Sequence, residues 1–197
     1  MVVGSQGALG SFQAVLAPLA AGFPAAVIFD LHRAEDHGLT EQLVARRSAL
    51  PVRSAGEGIR LEPATVYVAP HDRQLTIDPG GLLRVSASTE GTGHRFADRL
   101  LASAAAGLGA RLIAVVLSGR LDGGARGVRE VKRRGGRVIV QDPRCAAAPS
   151  MPNAALATGC VDFALTPEGI GNALTAMCVV AGAAELFRVR LNAAVAG

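Results

Sequence analysis

The chain has 197 residues, half of them hydrophobic and only 4% aromatic, with 24 glycines and 18% charged side chains. That length suits one sizeable core, and the profile of small aliphatic residues between glycine turns fits an α/β domain and excludes disordered and fibrous chains. The net charge of +4 comes from 20 basic against 16 acidic side chains and is concentrated at Arg46-Arg47 and Lys132-Arg133-Arg134, in segments that read as helices with a solvated face. Neither stretch carries interleaved aromatics or a nucleic-acid motif, so no nucleic-acid partner is expected, while an acidic protein partner stays open.

In chain order, Met1-Val2-Val3 reads as the end of a buried strand, Gly4 to Gly10 as a turn, and Phe12, Val15, Leu16 and Leu19 as one helix face. Ala25 to Phe29 is a short buried strand ending at Asp30-Leu31-His32, and a helix resumes near Leu39. Val66-Tyr67-Val68, Leu75 to Ile77 and Leu82 to Val85, separated by His71-Asp72 and Asp78-Pro79-Gly80-Gly81, predict an antiparallel hairpin near residues 66–86. Ser86 to Gly93 reads as a polar loop. A helix over Phe96 to Leu108, a strand over Arg111 to Leu117, a helix over Ala125 to Arg134 and a strand over Arg137 to Val140 follow, with a last helix from about Pro167. This alternation predicts a doubly wound, mostly parallel sheet flanked by helices.

Cys145, Cys160 and Cys178 are an odd number without metal-ligand spacing, as expected of reduced thiols in a cytoplasmic protein. No leader-like segment opens the chain, and the apolar stretch Ala173 to Ala184 is too short to span a bilayer, so no membrane insertion is expected.

Ligands of open parallel sheets bind beyond the carboxyl ends of the strands. Three such ends carry Ser5, His32 and Asp122, a set able to form a hydrolase triad in which histidine takes the serine proton and the acid orients the imidazole. Ser5 lies between small residues at a helix start, where the Gln6 and Gly7 amides are available to an oxyanion. The local sequence also allows Ser5 to be a helix N-cap and His32 an ordinary loop residue, or one of a metal pair with His37 beside Glu35 or Asp36, although that spacing fits no standard helical pair. Gly4, Gly7 and Gly10 lack the spacing of a dinucleotide turn.

Four separated blocks add to this. Val2-Val3-Gly4-Ser5-Gln6-Gly7-Ala8 is similar to a nucleophile turn of the form Gly-Ala-Ser-Thr-Gly-Gly, and Val27 to His32 to a strand ending in Gln-His. Ala55-Gly56-Glu57-Gly58 with Val66 to Arg73 is similar to a stretch containing Tyr-Ile-Ala-Pro-Gly-Asp, and Val116 to Gly127 to Leu-Thr-Gly-Met-Gly-Asp-Asp-Gly-Ala-Arg-Gly. Gly136 to Asp142 and Ser150 to Ala155 continue the likeness to about residue 170. Together the blocks resemble the catalytic domain of the chemotaxis protein-glutamate methylesterases, the CheB family.

The resemblance implies a single catalytic domain over 1–197 that hydrolyses glutamate γ-methyl esters, and deamidates glutamines, on methyl-accepting chemotaxis receptors. It implies Ser5 as nucleophile, His32 as base, and no metal or organic cofactor. The family usually carries a phosphorelay receiver domain, for which this chain has no room, so regulation is expected from elsewhere. Three departures stand out. The second acidic residue of the fourth block, the triad aspartate of the family, falls on Gly123 in an ungapped reading, so the acid is displaced to Asp122 or absent, with Asp98 and Asp142 as further carboxylates to weigh. Gln6 replaces a threonine, and Arg120 and Leu121 replace methionine and glycine. A second expectation is therefore a catalytically weakened relative that binds a receptor or signalling protein.

Overall fold

The computed structural model describes residues 1–32, 39–71, 73–87 and 95–179. In chain order they form β1 (Val2–Gly4), α1 (Ala8–Leu16), β2 (Val27–Leu31), α2 (Thr40–Ala45), β3 (Val52–Ser54), β4 (Val66–Val68), β5 (Arg73–Ile77), β6 (Leu83–Ala87) and α3 (Phe96–Leu108). Then come β7 (Ile113–Val116), α4 (Ala125–Arg133), β8 (Arg137–Gln141), α5 (Ser150–Leu156), β9 (Phe163–Leu165) and α6 (Pro167–Val179). Seven strands pair in parallel in the order β3-β4-β2-β1-β7-β8-β9, and β5 and β6 form a separate antiparallel pair.

Strand alternation divides the core into two halves. Val2, Phe29, Val115 and Ile139 face α1 and α6, packing on Phe12, Leu16, Ile170 and Leu174. Val3, Ile28, Val116 and Val138 face the other way, onto Leu100 and Leu101 of α3 and Val128 and Val131 of α4. Burial on both faces explains why these strands read as unbroken apolar runs.

The doubly wound expectation holds, and the hairpin is narrower than the sequence suggested. Val66, Tyr67 and Val68 are all buried and pair in parallel with β2 and β3, so only Arg73 to Ala87 makes the hairpin. One of the basic runs also differs from its reading: Lys132 lies on the buried side of α4, its ammonium paired with Asp162, while Arg133 and Arg134 stay exposed and pair with Glu130. Val128 and Val131 define the inward face of α4, and the next position on it is filled by Lys132 with a buried counter-charge. Cys145, Cys160 and Cys178 are free thiols. No helix among the described residues is long and apolar enough to cross a membrane. The loop expected at Ser86 to Gly93 lies mostly outside the described residues, as do His37, Glu35 and Asp36 and the apolar end beyond Val179.

The chain builds β1 at the centre, adds β2, β4 and β3 on one side, then returns through α3 to lay β7 on the other side. This reversal is the switch point at which loops leave in opposite directions and open a crevice. The position of α1, and so of the turn before it, depends on close contact with α6. A Cβ on Gly171 would lie 2.3 Å from the Val15 carbonyl oxygen and 2.4 Å from Pro18 Cγ. Gly171→Ala gains up to ~1 kcal/mol of helix propensity, but overpacking against backbone costs about 1–3 kcal/mol. A net loss of stability in urea unfolding is the expected outcome, and a gain would show that α6 packs more loosely.

Candidate active site

Ser5 leaves the end of β1 at the switch point. Its N–H donates to the Ser118 carbonyl at 3.0 Å, and its carbonyl accepts from the Ala8 N–H at 3.1 Å as α1 begins. The turn between them needs glycine: Gly7 has φ 78°, and a Cβ there would meet Ala147 Cβ at 2.6 Å and Ser118 Oγ at 2.9 Å. The buried Ser118 hydroxyl donates to the Gln6 carbonyl at 2.7 Å and accepts from the Ala148 N–H at 2.9 Å, while its N–H donates to Gln141 Oε1 at 2.9 Å. One serine thus joins the turn after β1, the end of β7, β8 and the segment leading into α5. Nothing in the sequence singled it out.

The Ser5 hydroxyl accepts from the Arg120 N–H at 3.0 Å and faces the Met151 sulfur at 3.6 Å, a weak acceptor. The backbone comes this close only because residue 119 is glycine: a Cβ there would sit 2.6 Å from Ser5 Oγ and 2.0 Å from Met151 Sδ. The Arg120 amide is a donor that the sequence reading did not anticipate. The Gln6 and Gly7 amides donate to no described acceptor and lie at the start of α1.

His32 follows the end of β2, its N–H donating to the Gly4 carbonyl at 3.0 Å and its ring stacked on Phe96 at 5.2 Å between centroids. Ser5 and His32 share a cavity of about 110 Å³ with Gly4, Asp30, Ala97, Arg120, Leu121, Gly123 and Met151. The fold therefore brings Ser5 and His32 together. Asp122 is exposed and does not line the cavity, although the backbone of Gly123 does. Asp98 accepts from the Gly127 N–H at 2.8 Å, and burial raises its carboxyl against the pull of that amide and the Arg126 amide. Asp142 forms an ion pair with Arg144 at 2.5 Å and holds the turn after β8, so its carboxyl lies below the usual range through that side-chain bond first and the Arg144 amide second.

Among the described carboxylates, Asp30 alone lines the cavity, and burial pushes it up to about 6. Its signal in the sequence was an acid two positions before His32, at the close of an apolar strand. Leu121 adopts φ 62°, a left-handed conformation that costs a branched residue about 1–2 kcal/mol, and its side chain is 65% exposed at the cavity rim. The backbone there thus takes a shape suited to the glycine it replaces in the resembling motif.

The sequence profile of the CheB methylesterase family matches residues 1–174, and the chain belongs to that family. It is 35% identical over 178 residues to protein-glutamate methylesterase/protein-glutamine glutaminase 3 of Anaeromyxobacter dehalogenans, covering 88% of this chain and 52% of that protein. It is 36% identical over 164 residues to the protein-glutamate methylesterase FrzG of Myxococcus xanthus, covering 81% of this chain and 48% of that protein. The crystal structure of the Thermotoga maritima CheB methylesterase catalytic domain superposes with a TM-score of 0.81 at 27% identity, over 88% of this chain and 95% of that one. The chain spans about half the length of the curated relatives it matches.

The Asp30 carboxyl is raised from the ordinary 3.8 to about 6, so the folded protein holds that proton more tightly than the unfolded chain. The stability that Asp30 contributes is therefore fully present below about pH 4 and is lost as pH rises through 6, above which the ionised group costs on the order of 3 kcal/mol. Asp30→Asn removes this dependence. Its melting temperature is expected to match wild type near pH 4 and to exceed it by roughly 6–12 °C above pH 6. A difference that stays constant with pH would show that the carboxylate is solvated.

Proposed function

We propose that this chain hydrolyses glutamate γ-methyl esters on methyl-accepting chemotaxis receptors, with Ser5 as nucleophile and His32 as proton carrier. The observation that carries the reading is the shared cavity at the switch point, in which Ser5 Oγ lies under the Arg120 amide and His32 forms part of the same wall. In the proposed sequence, Ser5 Oγ attacks the ester carbonyl carbon while its proton passes to the His32 imidazole. Collapse of the tetrahedral intermediate breaks the bond to the methoxy oxygen, which leaves as methanol with the proton from His32. Water then attacks the acyl-serine, gives a proton to His32, and releases the free glutamate as that proton returns to Ser5.

The oxyanion would be held by the Arg120 amide, with the Gln6 and Gly7 amides at the start of α1. The same steps release ammonia from a glutamine amide, in keeping with relatives that are named both methylesterase and glutaminase. A segment with glutamyl esters gains carboxylates as it is hydrolysed, and the surface suits it. Arg120 stands at the cavity rim, and Arg95, Arg99 and Arg126 outnumber Asp98 and Glu130 in a cleft of about 420 Å³ between α3 and α4.

A second reading, a relative that has lost turnover and acts by binding receptor, is favoured by Gly123 standing where the family pattern has its acid. Methanol release from a carboxymethylated receptor cytoplasmic fragment separates the two. Wild type is expected to turn over, and Ser5→Ala to lose at least ~10³-fold in kcat. Equal background rates from both proteins would falsify the enzyme reading.

A further inference from the structure

We infer that Asp30 supplies the carboxylate that the loop after β7 lacks at Gly123, orienting the His32 imidazole from the strand side of the same cavity. The inference rests on the proposed Ser5 and His32 chemistry. A catalytic imidazole needs an acceptor at the ring nitrogen remote from the serine, to fix the tautomer and to stabilise the imidazolium that forms. The family pattern supplies that acceptor from a position where this chain has glycine, yet the Gly123 backbone still forms part of the cavity wall.

Among the described residues, the other carboxylates weighed for this role are engaged or turned away. Asp98 caps the start of α4 through the Gly127 and Arg126 amides, Asp142 is paired with Arg144, and Asp122 is exposed outside the cavity. Asp30 lines the cavity beside His32 and Ser5, and no described donor reaches its carboxylate.

Strand geometry places the two side chains together. Residues two apart on a strand point to the same face, roughly 6.6 Å apart along it. The face is identified by the neighbours: Ile28 packs with Leu100 and Leu101 of α3, whereas Phe29 stacks on Phe12 of α1 on the opposite side at 3.7 Å. Asp30 shares the parity of Ile28, and the His32 ring lies against Phe96 of α3. Both residues therefore border the space between β2 and α3, where the Asp30 carboxylate has only to turn along the strand to meet the imidazole. A half-buried, unpaired acid is a burden on the free protein, and it becomes favourable when His32 gains its proton in the transition state.

The test compares wild type, Ser5→Ala, Asp30→Asn and Asp122→Asn for methanol release from the carboxymethylated receptor fragment, alongside the His32 imidazole N–H signals in NMR. With Asp30 as orienting acid, Asp30→Asn lowers kcat by about 10²–10⁴-fold, leaves KM nearly unchanged, and abolishes the downfield N–H signal that appears when the protonated imidazole pairs with the carboxylate. If Ser5→Ala is inactive while Asp30→Asn keeps kcat within about threefold, against the ~10⁴-fold loss of a missing triad acid, the esterase reading stands and the Asp30 inference fails. A larger loss at Asp122→Asn than at Asp30→Asn likewise assigns the role to Asp122 and overturns the inference. If Ser5→Ala equals wild type, the esterase reading fails by itself and the NMR signal decides. A signal unchanged in Asp30→Asn then overturns the pairing, and a signal lost only in that variant upholds it.

Discussion

The site depends on Ser118. Its hydroxyl donates to the turn that carries Ser5 and accepts from the stretch before α5, its carbonyl accepts from the Ser5 N–H, and its own N–H donates to the buried side chain of Gln141 on β8, so three chain segments meet at one residue. A fully buried hydroxyl left without partners would cost about 1–3 kcal/mol, so the satisfied arrangement specifies one geometry for all three segments. Gly119 follows directly and presses its backbone against Ser5 and Met151. This anchoring brings the Arg120 amide to the Ser5 hydroxyl.

Two features near that anchor run against stability. Leu121 holds a left-handed backbone and exposes an apolar side chain, and Asp30 keeps a carboxyl where burial opposes its charge. Both line the cavity shared by Ser5 and His32. Strain and perturbed ionisation gather at functional sites because the surrounding packing over-determines the positions that carry them. Here the surrounding packing is the double-sided core of a parallel sheet, whose central strands are almost wholly buried.

Coverage of about half the length of longer relatives, together with 95% coverage of a solved catalytic domain, locates the likeness in the catalytic portion of the family. Within that portion the departures fall mostly in one loop, with Gln6 in the turn after β1 the exception. Arg120, Leu121 and Gly123 lie between β7 and α4, beside Ser5, while the strands and helices that hold them keep the family's arrangement. The loop can vary because its anchors, Ser118 before it and the Asp98-capped start of α4 after it, do not rely on its side chains.

The amino-acid sequence by itself determined the alternation of strands and helices, since apolar runs and helical faces are local patterns, and Phe96 to Leu108 was legible to the residue. It also determined Ser5 and His32 as candidates, because a glycine-flanked serine and a histidine at strand ends are local signals reinforced by motif order. The sequence did not disclose that Val66 to Val68 joins the main sheet, nor the short strands at Val52 and Phe163, whose pairing comes from partners distant in the chain. Only the tertiary structure decided which carboxylate meets the cavity. Neighbourhood in the motif pointed to Asp122, but that residue is exposed outside the cavity, whereas Asp30 near the end of β2 lines it together with His32. A one-residue step along a loop or strand reverses which way a side chain points, and packing alone selects the direction.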